Sequence, residues 1–169
     1  MAVRAIDAAL YLLAKDTEGS IFNKDVVSFN GRTFYKGNAV LNKLLHLAQN
    51  IYLAAKGRVL FDDALYAYDN GAVVPSVQEK YSFLQEKRTE QRAACDRLAP
   101  EDRAFLDEIY DIFSIATLEE LIALSHEDPA WRAKKDFFSK NEQKMDTLAM
   151  QTEYKERYAD IISIMKSVN

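Results

Sequence analysis

Helix-breaking residues are scarce, with five glycines and three prolines in 169 residues. That scarcity argues against a turn-rich all-β fold and against long disordered tracts. Cysteine is almost missing too. Cys95 stands alone, so no internal disulfide can form, which excludes a disulfide-stapled secreted scaffold and fits a reducing cytoplasm. Cys95 also lies in a charged helical stretch with no histidine near it in sequence, so nothing lowers its pKa to make it a nucleophile. Only two histidines occur, His46 and His126, and no HExxH or CxxC spacing supplies metal ligands, so no metal and no cofactor is expected. No apolar run approaches the roughly eighteen residues of a membrane span. Residues 1–15 form an amphipathic segment without a long apolar core or a small-residue cleavage site, unlike a signal peptide. An excess of basic charge is absent as well: the net charge is −4. The densest basic stretches, 86–92 and 131–136, interleave with acids and read as solvated helix surface, so nucleic acid is not an expected partner.

No glycine-rich phosphate cradle is present. The acid pairs Asp62-Asp63, Glu119-Glu120 and Glu127-Asp128 occupy a loop, a first helical turn and a position before proline, where structural or solvated roles suffice. No catalytic triad can be assembled from spacing alone, so no catalytic residue is assigned and the chain is not expected to be an enzyme.

What the chain does hold is an ordinary globular balance, 49% apolar and 28% charged, in one domain's length. Val3, Ile6, Leu10 and Leu13 place an apolar stripe on a first helix. The segment 26–35 is rich in β-branched and aromatic residues around Asn30-Gly31, a strong hairpin signal. From 38 to 56 apolar residues cover far more than one stripe, which marks a helix buried on most sides, with His46 as a hydrogen-bonded core residue and Gly57 as a left-handed cap. Residues 59–75 read as short extended segments. Ser76-Val77-Gln78-Glu79 and Thr117-Leu118-Glu119-Glu120 each have the form of a capping box; the first should open a helix running into the eighties or nineties. Pro100 opens another helix, and a last one should span much of 142–166. The predicted architecture is mainly α, a compact single-domain helical bundle around a buried central helix (about 38–56), with a small β-hairpin (about 26–35) and short extended segments (about 59–75). The domain spans 1–169 and includes a C-terminal helical extension at about 141–168.

Three blocks of the chain resemble one known family. The helix Leu41-Asn42-Lys43-Leu44-Leu45-His46-Leu47-Ala48-Gln49-Asn50-Ile51-Tyr52-Leu53-Ala54, continued by Lys56-Gly57-Arg58-Val59-Leu60-Phe61, is similar to a K-L-L-Y-x-A-Q-x-x-x-L-A helix. The stretch from Ala64 to Val77 is similar to I-x-A-W-x-x-G-P-V-V-P-x-V, with Tyr68 where tryptophan is frequent and Ala72 in place of the proline after Gly71. The run from Thr117 to Trp131 is similar to a helix ending L-S-H-x-x-x-x-W. In order and spacing these blocks resemble the Panacea domain, also called SocA-like and found in phage-associated GepA proteins. Leu44, Gly57, Gly71, His126 and Trp131 carry the structural signature.

The resemblance implies an antitoxin: a cytoplasmic protein of a toxin-antitoxin system that neutralises a cognate protein toxin by direct binding. A proteolytic adaptor that delivers its partner to a protease is the alternative, followed by a DNA-binding autoregulator, for which the chain lacks a basic recognition helix. A hydrolase would require convergent titratable groups in a pocket. No membrane contact is expected, and a homo-oligomer is compatible with the sequence. The candidate partner-binding residues are aromatic or extended: Phe29, Phe34 and Tyr35 in the hairpin, and Tyr66, Tyr68, Val73, Val74 and Pro75 in the second extended stretch. The alternative role for these side chains is to cover the central helix. His126, at a helix end with Trp131 five residues on, should lock a turn.

Overall fold

The computed structural model describes residues 2–87 and 96–166. Cys95 and any continuation of the helix past Lys87 lie outside the described residues, as does the end of the extension at 167–168. Helix α1 (Ala5–Lys15) buries Ala5, Ala8, Ala9, Leu12 and Leu13, whereas Val3, Ile6 and Leu10 are half-buried. The inward face is thus rotated from the expected stripe, because alanines let the helix approach its neighbours closely. Asp7 joins this face, paired at 3.0 Å with both Arg4 and Arg97.

Strands β1 (Val26–Phe29) and β2 (Arg32–Tyr35) pair antiparallel with Phe29 opposite Arg32. Asn30 and Gly31 form the two-residue loop at φ 51° and 74°, the doubly positive geometry that matches strand twist and makes Asn-Gly the preferred pair. The chain passes directly into α2 (Lys36–Lys56), in which every residue from Val40 to Ala54 is buried. Gly57, at φ 75°, ends α2 and returns its N–H to Leu53 O. The next hairpin pairs β3 (Tyr66–Tyr68) with β4 (Gly71–Val73) in antiparallel register, Tyr68 opposite Gly71. Its loop is Asp69-Asn70, so this second Asn-Gly straddles the loop end rather than forming it.

Helix α3 (Pro75–Lys87) starts one residue before the expected cap. The amides of Val77 and Gln78 donate to Val74 O, and among the described residues Ser76 Oγ is buried without a partner. Proline at the first helical position, with its fixed φ and missing N–H, draws Ser76 into the first turn, and the expected capping box does not form there. The box at Thr117 does form: Glu120 N–H donates to Thr117 Oγ1, and Thr117 N–H to Glu120 Oε1, both at 3.1 Å. Helices α4 (Pro100–Phe113), α5 (Leu118–His126) and α6 (Pro129–Arg132) follow.

The final helix differs from expectation. Backbone at 143–145 extends the second hairpin instead, with Ala67 N–H donating to Gln143 O and Met145 N–H to Leu65 O. Those groups cannot then serve a helix. After a 3₁₀ turn (Leu148–Met150), α7 (Gln151–Arg157) and α8 (Ala159–Lys166) are separated at Tyr158. Helix α7 packs along α2. The mainly α, compact arrangement around a buried central helix is as the sequence predicts, and among the described residues no helix is long and apolar enough to cross a membrane.

Candidate functional site: a polar stripe and the cleft above it

Helix α2 is not purely apolar. Asn42, Lys43, His46, Gln49 and Asn50, at helical spacing, are all buried, and buried polar groups demand partners. Asn42 Oδ1 accepts from Val74 N–H at 2.9 Å. Gln49 Oε1 accepts from the amides of Leu60 and Phe61, while its Nε2 donates to Phe61 O. Each amide side chain therefore satisfies backbone groups of the extended segments that the short bridges leave over.

His46 and Asn50 reach the other way, toward α5, α6 and α7. Ser125 Oγ accepts from Ala72 N–H at 2.9 Å and lies 2.9 Å from His46 Nδ1. An ionised carboxylate can only accept, so Nε2 donates to Asp128 Oδ2 at 2.6 Å, and a ring that carries its proton on Nε2 accepts at Nδ1 from the Ser125 hydroxyl. Asp128 also accepts from Asn50 Nδ2 at 2.9 Å, Tyr154 OH at 2.6 Å and Ala130 N–H at 2.8 Å. Burial pushes the Asp128 carboxyl up, but the His46, Tyr154 and Asn50 donors outweigh it and hold it below the usual carboxylate range. The Tyr154 phenol is raised by burial and by the Asp128 charge, and burial pushes Tyr158 up to about 12.

Serine, histidine and aspartate thus meet in space as spacing alone could not foretell. The ring is reversed relative to hydrolytic triads, in which Nε2 takes the serine proton and Nδ1–H faces the carboxylate. Ser125 is buried, its hydroxyl is engaged by both Ala72 and His46, and it does not border the cleft between the two hairpins, so it is not offered to a substrate in this conformation. The arrangement fastens β4, α5, α6 and α7 to α2.

A cleft of about 490 Å³ opens between the two hairpins. Its lining includes Arg32 and Phe34 from β2, Asn42 and Lys43 from α2, Tyr68 to Gly71 and Val73 from the second hairpin, and Phe138 and Lys140. The hairpins are tied at their tips: Asn30 Nδ2 donates to Asn70 Oδ1 and Arg32 Nε to Asp69 Oδ2, each at 2.8 Å, and Asn70 Nδ2 donates to Phe29 O. Lys43 is 2% exposed and donates to Ala72 O at 3.1 Å. Burial pushes its amine down to about 7. Gly71, at φ 110°, leaves space for this: a Cβ there would lie 2.6 Å from both Lys43 Cε and Ser125 Oγ.

Of the residues singled out from sequence, Phe34, Tyr68 and Val73 line the cleft. Phe29 stacks on Phe34 with centroids 6.1 Å apart, and Tyr66 lies against Tyr68 beneath Lys140. Tyr35 packs on Tyr81 away from the cleft lining. Val73 and Val74 are buried, so Val74 covers α2 and Val73 shows the cleft little more than an edge. Pro75 starts α3. Leu44 is fully buried, and His126 stacks on Trp131 at 4.1 Å while Trp131 Nε1 donates to Tyr68 O, joining the helix end to the hairpin. His126 is lowered by burial above all. Lys43, Asn42 and Phe138 escaped the sequence reading, and Asp128 entered it only as half of an acid pair for which a structural or solvated role suffices. The discoverable signal was the set of five polar residues recurring at helical period within α2.

These features define a small helical scaffold whose two hairpins, latched at their tips, frame one cleft over a polar-striped central helix. The family model described as antitoxin SocA-like, Panacea domain, matches residues 41–132, more than half of the chain, and the chain belongs to that family. No curated protein and no solved structure matches it.

Proposed function

We propose that this chain is the antitoxin of a toxin-antitoxin pair, neutralising a cognate protein toxin in the cytoplasm by direct, non-catalytic binding, with residues 1–169 acting as one unit. The family match carries this reading. The cleft supports it by its construction. Its floor and one wall, Asn42, Lys43, Tyr68 and Gly71, fall within the matched residues, whereas Arg32, Phe34, Phe138 and Lys140 fall outside them. A common frame with a chain-specific rim suits a family of binders that each recognise a different partner. Phe138 is fully exposed at this rim, and exposed aromatics anchored near a pocket are the residues on which interfaces concentrate binding energy.

The test is co-expression. Each gene adjacent to this one is expressed alone and together with the chain, growth is scored, and the pair is purified through a tag on one partner. Rescue with a co-purifying complex is the expected result. Rescue with the toxin's level falling, and no stable complex, would refute neutralisation by binding and favour delivery to a protease.

A further inference from the structure

Lys43 is the chemically exceptional residue of the cleft. An ammonium has three N–H donors, and among the described residues one of them is used, on Ala72 O. Among the described residues no carboxylate pairs with it, and a buried amine so placed takes a proton only against a desolvation cost. The lining is cationic in an acidic protein: Arg32, Lys43 and Lys140 stand against Asp69 alone, in a chain of net charge −4. Asp69 is already bound to Arg32. Aromatic surface flanks this charge in Phe34, Tyr68 and Phe138.

We propose that the cleft between the hairpins seats an acidic side chain of the bound toxin, its carboxylate facing Lys43 and the apolar residue beside it lying against Phe34, Tyr68 and Phe138. This rests on the antitoxin reading for the source of the carboxylate, and on the cleft alone for the seat. The carboxylate supplies the missing counter-charge, forming charge-assisted hydrogen bonds where water is scarce. Lysine rather than arginine suits the position, because a compact point charge fits under Gly71 where a planar fork does not.

The test is an NMR titration of the full ¹³C,¹⁵N-labelled chain at pH 6 with N-acetyl-glutamyl-phenylalaninamide and, separately, with its glutaminyl isostere. The acidic peptide is expected to bind about ten-fold tighter, to move the amides of Gly71 and Ala72, and to shift the Lys43 Cε resonance; Lys43→Met is expected to level the two affinities. The Cε shift is read on the unmutated chain, so it decides the matter even if Lys43→Met does not fold. Equal binding of the two peptides, or an acid preference that survives in Lys43→Met, overturns the seat. A chain that rescues no toxic neighbour refutes the antitoxin reading by itself, and a chain that rescues but shows no acid preference refutes the carboxylate seat by itself.

Discussion

Replacing Asp128 by asparagine tests whether the buried network is a structural hub. The substitution keeps shape and volume but turns one acceptor oxygen into an NH₂ donor. If the amide nitrogen takes the Oδ2 position it confronts His46 Nε2 and Asn50 Nδ2; at Oδ1 it confronts Tyr154 OH and Ala130 N–H. Either way two buried donors lose their acceptor, at about 1–3 kcal/mol each, and the remaining bonds lose their charge assistance. A loss of about 4 kcal/mol follows, within the roughly 3–5 kcal/mol typical of breaking a buried pair. Urea unfolding at pH 7 would show it as a midpoint lower by about 2 M, for a slope of about 2 kcal/mol per M. The pH dependence gives a second check. Because the folded carboxyl titrates below its ordinary value, its stabilisation is complete above the unfolded pKa, about 3.9, and is lost as pH falls through the folded value. The gap between wild type and variant should therefore narrow only in acid. A loss under about 1 kcal/mol at pH 7, or a gap that does not change down to pH 2, would refute the hub.

Gly71→Ala should cost about 3 kcal/mol or more, since the new Cβ lies 2.6 Å from two side-chain atoms and φ is 110°; a melting temperature lower by roughly 10 °C would register it. Lys43→Met should stabilise the chain at pH 6. The amine falls from 10.5 to about 7 on folding, which at 1.36 kcal/mol per unit bounds the gain at roughly 5 kcal/mol. Since the folded state binds that proton more weakly, wild-type stability should climb from pH 7 to 10 relative to the variant's, and parallel curves would contradict it. Gln49→Ala should leave the Leu60 and Phe61 amides without an acceptor, costing about 2–4 kcal/mol in the same urea assay.

The helices and the first hairpin were legible because local chemistry decides them: Asn30-Gly31 turns by conformational preference, Gly57 stops α2, and Thr117 caps α5. Boundaries went astray where tertiary structure competes. Proline at 75 overrode the serine beside it, and the backbone at 143–145 joined a sheet edge although its side chains would accept a helix. The site was harder to read. Lys43, His46 and Asn50 look like interruptions in an apolar helix until β4, α5 and Asp128 at the start of α6 supply their partners, some 29 to 82 residues away along the chain. Spacing within one helix announces that partners must exist, not which they are.

The bond from Tyr154 to Asp128 has a consequence for how the protein is made. A ribosome that has released residues up to Trp131 has delivered every group of the polar core except this last donor, so until α7 arrives Asp128 is short of one partner and α2 is uncovered along the flank that α7 occupies. At about 5–20 residues per second, that exposed stage lasts a second or more in every synthesis. A chain at that stage still lacks Phe138 and Lys140 from the cleft and the α7 cover of α2, so an interrupted translation product exposes interior surface that the folded molecule hides.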